Sequence, residues 1–208
     1  MHTAKKSVVG IIDYQAGNIQ SIENAFNHIG ARVLRVTTEK QLLECTHLVL
    51  PGVGAFGFCV ENLRSSEFIP SIERWAFEER KPLLGICVGM QLLTECSEES
   101  PETPGLSWFN GDIKRIPTYP GIRVPHVGWN SVQFECDFGE FISGNKADFY
   151  FDHSFAYQNP TEKEVVGFCT HGVRFGAIIK RDNIIAAQFH PEKSQEAGLR
   201  FLRGFLLQ

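Results

Sequence analysis

Over the first two-fifths of the chain, short apolar runs alternate with stripes of helical period. Val8–Ile12 is an apolar run of the kind that makes a buried strand, and it closes on the turn residues Asp13 to Asn18. Ile19, Ile22, Phe26 and Ile29 then fall near helical spacing, with Gly30 as the stop, which predicts a helix over Ile19–Ile29. Arg32–Val36 reads as a strand, and Thr46–Leu50 as another that ends in Pro51-Gly52-Val53-Gly54. Phe68–Arg80 is helical in pattern and Pro82–Ile86 is a fourth strand. Strands and helices joined by short links imply a mainly parallel sheet covered on both faces.

Past about Pro101 the texture changes. Val124–Gly128, Ser131–Phe134, Asp148–Phe151, Val165–Cys169, Phe175–Lys180 and Ile184–Phe189 are strand-like runs set apart by turns, the pattern of antiparallel hairpins. Glu196–Leu207 is a predicted closing helix. The chain has no internal repeat, low-complexity tract or linker. The expectation is one domain over residues 1–208, of class α/β: a three-layer sandwich with a mostly parallel sheet and an antiparallel extension.

Charge and composition narrow the function. The formal net charge is −4 and the Lys and Arg residues are scattered, so neither nucleic acid nor a membrane is an expected partner. No apolar run approaches the roughly 20 residues that span a bilayer. The run after Lys5 and Lys6 is too short for a signal-peptide core, which makes a cytoplasmic location the expectation. The six cysteines (Cys45, Cys59, Cys87, Cys96, Cys136 and Cys169) form no CxxC pair and no zinc-ligand spacing. No metal and no cofactor is expected, and most of these thiols read as small buried hydrophobes.

Cys87 departs from that reading. It stands in Gly85-Ile86-Cys87-Val88-Gly89, where a strand meets a helix in the manner of a nucleophile elbow. The glycines permit a sharp turn that a Cβ obstructs, and a helix N-terminus favours negative charge on the sulfur. Taken alone, the motif fits a buried structural cysteine equally well. A second signal is His190-Pro191-Glu192, directly after the Ile184–Phe189 strand. Pro191 fixes the turn, and the Glu192 carboxylate can reach back to one imidazole nitrogen while the other takes a thiol proton. The third is the Pro51–Phe56 loop, whose glycines allow main-chain N–H groups to face a ligand. An amide hydrolase needs donors for its oxyanion, and the N–H of Val88 with one from Val53–Gly54 are the candidates.

These motifs, in this order, resemble the class I glutamine amidotransferases along the whole chain. Within them the chain is similar to the glutaminase subunits of imidazole glycerol phosphate synthase. The segments that carry this second likeness are Asp13-Tyr14 with Gly17-Asn18, Pro51–Phe56, Gly85–Leu93, Pro125–Asn130, Tyr150-Phe151 with His153-Ser154, and Gln188–Ser194. The resemblance implies Cys87 as nucleophile, His190 as general base and Glu192 as its orienter. It implies Val53 and Gly54 as a mobile oxyanion strand, and Gln91 and Ser154 as parts of a glutamine pocket. Trp129, Tyr150 and Lys193 match positions that face a (β/α)₈-barrel synthase subunit. That heterodimer partner uses ammonia to turn a phosphoribulosyl nucleotide (PRFAR) into imidazole glycerol phosphate and an aminoimidazole carboxamide ribotide. Gln15, Asp152 and Phe155 depart from the usual Gly, Val and Tyr.

Three other functions stay open at this point: a sister glutaminase serving surface-sugar biosynthesis, an inactive scaffolding subunit, and a stand-alone cysteine hydrolase of another amide. The remaining conspicuous residues read blandly. His2, His28 and His47 are expected at the surface or core edge, and His126 and His171 in structural roles. Glu98-Glu99 reads as a solvated helix end, and Phe56 and Phe109 as candidate linings of a partner surface.

Overall fold

The computed structural model describes residues 7–158 and 163–208, so the expectations for His2, Lys5 and Lys6 lie outside the described residues. Its first half runs β1 (Val8–Ile12), α1 (Ile19–His28), β2 (Arg32–Val36), α2 (Glu39–Leu42), β3 (His47–Leu50), α3 (Phe56–Ser65), α4 (Ile69–Glu73), β4 (Leu83–Ile86) and α5 (Val88–Gln91). Next come β5 (Cys96–Ser97), β6 (Asp112–Arg115), β7 (His126–Phe134), β8 (Lys146–His153) and β9 (Phe155–Gln158). The chain closes with β10 (Val165–His171), β11 (Val173–Arg181), β12 (Ile184–Ala187), a 3₁₀ turn at Pro191–Lys193, and α6 (Gln195–Leu206).

The main sheet has the order β2-β1-β3-β4-β12-β11-β10-β7-β8. From β2 to β12 every neighbouring pair is parallel, and from β12 to β8 every pair is antiparallel. The parallel strands β3, β4 and β12 are buried along their whole length, as continuous apolar runs require when helices cover both faces. A side branch joins β5 to β6, β6 to β9 and β9 to β11.

Local sequence explains the helices that frame the parallel half. Asn18 caps α1, its Oδ1 accepting the Ser21 N–H at 3.4 Å, and Ile19, Ile22 and Phe26 fall on the buried stripe. Phe205 of α6 meets Phe26 edge-on at 6.3 Å and His47 of β3 at 5.2 Å, so α1 and α6 share the face to which His47 points. His47 is therefore buried rather than at the surface, while His28 is exposed. Phe56 and Phe109 are fully buried core residues and line no partner surface.

Some boundaries differ from the sequence pattern, for physical reasons. The two runs Val124–Gly128 and Ser131–Phe134 are one strand, β7, which passes through Gly128 at φ 130°. The helix expected over Phe68–Arg80 widens into a π turn at Arg74–Glu78, which buries Trp75 and lets its indole N–H donate to the Pro82 carbonyl at 3.0 Å. The strand expected to reach Phe189 ends at Ala187, where the chain bends away from the sheet.

Candidate active site

Adjacent parallel strands β4 and β12 run in register, with Ile86 opposite Ala187, so Cys87 and Gln188 leave the sheet at the same level. Cys87 has φ 54° and ψ −112°, a conformation side chains other than glycine rarely hold. Its N–H donates to the Ala187 carbonyl at 2.8 Å, which ties the elbow to β12. The glycine loop after β3 presses directly on this elbow. A Cβ on Gly52 would stand 2.5 Å from the Gly89 nitrogen, and one on Gly89 would stand 2.0 Å from the Leu50 oxygen. Only glycine permits that approach.

Phe189 anchors the chain as it leaves β12. Its ring is fully buried, stacked on Phe149 at 3.9 Å and edge-on to Phe201 at 5.2 Å. His190 N–H donates to the Tyr150 carbonyl at 2.9 Å, and Ser194 Oγ donates to the His190 carbonyl at 2.6 Å. The His190 backbone is thus held through both its N–H and its carbonyl. Its Nδ1 lies 2.8 Å from Glu192 Oε1, and the two side chains are only 3% and 1% exposed. His190 and Cys87 line the same cavity, and Cys87 is near enough to act on the charge of the ring. Burial works against a charged imidazole here, but the negative charge of Cys87 and the Glu192 carboxylate outweigh it and raise the His190 pKa. The arrangement favours the protonated imidazole of His190.

A cavity of about 480 Å³ opens over this pair. Its lining includes Cys87, His190, Val53, Gly54, Val88, Gln91 and Ser154, so the structure gathers the sequence-predicted nucleophile, base, oxyanion loop and substrate positions around one space. Glu192 stands behind His190 and does not line it. Trp129, Tyr150 and Lys193 form a separate cluster at its edge. Trp129 and Tyr150 pair across β7 and β8 with rings 6.3 Å apart, and Lys193 Nζ lies 5.5 Å from the Tyr150 ring. Trp129 is 48% exposed, and Lys193 reaches from this cluster into the cavity lining.

Comparison with known proteins gives the family. The family described as "Glutamine amidotransferase class-I" matches residues 10–208. The chain belongs to the class I glutamine amidotransferases. Among curated relatives it is 40% identical to "Imidazole glycerol phosphate synthase subunit HisH" of Zymomonas mobilis, over 99% of this chain and 98% of the relative. The protein of the same description from Methanothermobacter thermautotrophicus is 46% identical, over 96% and 98%. A solved structure described as a glutamine amidotransferase superposes with a TM-score of 0.75 at 21% identity, covering 97% of this chain and 98% of that one. A Thermotoga maritima structure described as PurLQS gives 0.73 at 19% identity, covering 98% and 99%. These two likenesses speak to the fold alone.

The candidate site also contains residues to which the sequence pattern gives no role. Glu99, expected to be a solvated acid, lines the cavity, and its Oε2 accepts the Phe56 N–H at 2.8 Å where α3 begins. Gln188 is fully buried and donates from Nε2 toward the Cys87 sulfur at 3.8 Å. Gln91 donates to Gln188 Oε1 at 3.1 Å and to the Phe155 carbonyl at 3.3 Å, so its side chain is fixed on two sides. Gln15 stands at φ 63° in the first loop, a left-handed position that suits the glycine usual there. Asp152 and Phe155, the other two departures, both line the cavity. α5 has only four residues, so no long helix stands behind Cys87. Among the described residues no group of His, Cys, Asp and Glu could hold a metal ion, and no helix is long and apolar enough to cross a membrane.

Proposed function

We propose that the chain is the glutaminase subunit of an imidazole glycerol phosphate synthase, a cytoplasmic enzyme of histidine biosynthesis, with Cys87, His190 and Glu192 as its catalytic set. The observation that carries the reading is the buried Glu192–His190 pair, whose imidazole lines the same cavity as Cys87. In the reaction the Cys87 thiolate attacks the carboxamide carbon of glutamine. The carbonyl electron pair moves onto oxygen, where the N–H groups of Val88 and Gly54 receive the oxyanion. His190 gives its proton to the leaving nitrogen, the C–N bond breaks, and ammonia departs from a thioester. Neutral His190 then takes a proton from water, whose oxygen attacks the thioester, and glutamate and thiolate are released. Glu192 keeps the imidazole in one orientation throughout. The carboxylate of Glu99 offers a counter-charge to the α-ammonium of glutamine, and Gln91 and Ser154 supply polar walls.

The exposed Trp129, with Tyr150 and Lys193, gives an aromatic and cationic surface beside the cavity mouth for a (β/α)₈-barrel synthase subunit. Ammonia formed at Cys87 would pass to that subunit without entering bulk water and be used there on PRFAR. The relatives' common description supports this partner over one in surface-sugar synthesis. The test is the Cys87→Ala variant in the reconstituted complex. Synthesis from glutamine should vanish, and synthesis from ammonium chloride should persist and climb with pH as free ammonia increases. An assembled variant complex that fails with both nitrogen sources would overturn the ammonia-donor reading. A native complex containing a partner of surface-sugar synthesis would overturn the histidine-pathway assignment.

A further inference from the structure

Behind the cavity wall runs a hydrogen-bond chain whose direction is fixed atom by atom. His153 Nδ1 lies 2.8 Å from the Phe155 carbonyl oxygen, which only accepts, so the ring carries its proton on Nδ1. Its Nε2 is then an acceptor, and it lies 2.9 Å from His126 Nδ1, which must be the donor. His126 Nε2 in turn accepts from Asn130 Nδ2 at 3.1 Å. The Asn130 amide cannot be turned round, because its Nδ2 also donates to the Thr170 carbonyl at 3.0 Å and its Oδ1 accepts the Ser131 N–H at 2.8 Å. Both rings therefore hold the Nδ1–H tautomer, and each nitrogen of the pair is used.

The surroundings keep the pair rigid and neutral. His126 stacks on Phe151 at 4.7 Å and on His171 at 4.0 Å, while His171 donates from Nε2 to the Arg123 carbonyl at 2.7 Å. Burial, helped by the neighbouring imidazoles, pushes His126 down to about 3. Burial likewise pushes His153 down to about 4, against the opposing pull of the Phe155 carbonyl. Core packing alone would fill this space with apolar side chains at lower desolvation cost. The chain ends where function lies. The Phe155 carbonyl also receives Gln91 Nε2, and through Gln188 the same network reaches the Cys87 sulfur. At the other end Asn130 adjoins Trp129 on β7, beside the exposed aromatic cluster.

We infer that His126 and His153 are positioning residues of the glutamine pocket, which hold the Ser154–Phe155 wall in register with Asn130 on β7 through the Phe155 carbonyl. The inference rests on the glutaminase reading above. It assigns His126 and His153 a role in substrate binding, although neither takes part in the chemistry at Cys87.

Amide side chains provide the test, because Asn places a nitrogen where His has Nδ1 and Gln places one where His has Nε2. In the complex with its synthase, His126→Asn should keep the donor to His153 and leave the KM for glutamine within about twofold of the unsubstituted value. His126→Gln should lose that donor and raise KM about tenfold, with kcat changed much less. If His126→Gln does not fold, Asn130→Asp gives the same reading from a half-buried position on β7: it sets an acceptor against His126 Nε2, and KM should rise likewise. Nitrogen-15 spectra of the unsubstituted chain should show Nδ1–H for both rings, and Asn130→Asp should move the His126 proton toward Nε2. An Nε2–H signature in the unsubstituted protein, or equal KM values for every variant that folds, would overturn the inference. Absence of glutamine hydrolysis by the unsubstituted complex would instead overturn the proposed function, whatever the spectra show.

Discussion

Glu192 gives one oxygen to His190 and leaves the other buried without a hydrogen-bond partner among the described residues. This asymmetry sets what each substitution does. In Glu192→Gln the amide oxygen can still accept from His190 Nδ1, and its nitrogen takes the place of an oxygen that already had no partner. In His190→Ala the proton donor is gone. Glutamine hydrolysis should therefore fall further in His190→Ala, by roughly one to two orders of magnitude, the margin seen between base and orienter in subtilisin. Steady-state rates of the two variants decide it, and equal losses would mean that Glu192 does more than orient. Cys87, His190 and Glu192 were legible as a group because elbow, base and orienter each leave a local mark of glycine, proline or spacing. Glu99 leaves none, and Gln188 is marked only as the start of the segment that holds His190. An acid in a run of acids looks solvated, and a glutamine at a strand end looks like any other, until the fold brings them to one cavity.

At the scale of elements, the contact between the Pro51–Gly54 loop and the Cys87 elbow is a backbone-to-backbone one, and backbone cannot give way as a side chain can. Gly52→Ala and Gly89→Ala should each cost about 1–3 kcal/mol or more through overpacking, read as a clear fall in Tm. Gly54 differs: space for a Cβ is open, but φ is 98°. Gly54→Ala should change stability by only about 1–2 kcal/mol, yet slow hydrolysis about 10²–10³-fold if its N–H serves the oxyanion. A Gly54→Ala enzyme at full rate would remove that loop from the mechanism. The strands and helices of the parallel half were readable because whole apolar runs must be buried there. α3 was overlooked even though Phe56, Cys59, Val60 and Leu63 have helical spacing, because Gly52, Gly54 and Gly57 make that stretch read as loop. The short strands β5, β6 and β9 owe their existence to partners distant in sequence, and no periodicity of two to four residues can announce that.

For the molecule as a whole, buried histidines make stability depend on pH in both directions. His47, His126 and His153 are held low, chiefly by burial, so the unfolded chain takes protons at these sites before the folded one does. Stability should thus be undiminished by them above about pH 6.5 and fall as the pH drops toward their folded values, by up to about 1.4 kcal/mol per group and pH unit. His190 has the opposite sign: its pKa is raised, so its contribution is complete below about 6.5 and fades as pH climbs through the raised value. Thermal melts from pH 8 to 4.5 should show Tm dropping on the acid side. His47→Gln, which removes one of the three low groups, should make that drop shallower. An unchanged slope would mean that His47 does not titrate with folding.

β12 has a further consequence, one of timing. It is the last strand of the chain, yet it lies in the middle of the sheet, between β4 and β11. A chain emerging in order from the ribosome makes β4 and Cys87 long before it makes β12 and His190. Until then β4 has one open side, and the parallel and antiparallel halves have no common strand. The nascent molecule therefore carries its thiol without its base, and it gains both a closed sheet and a complete site in a single late insertion.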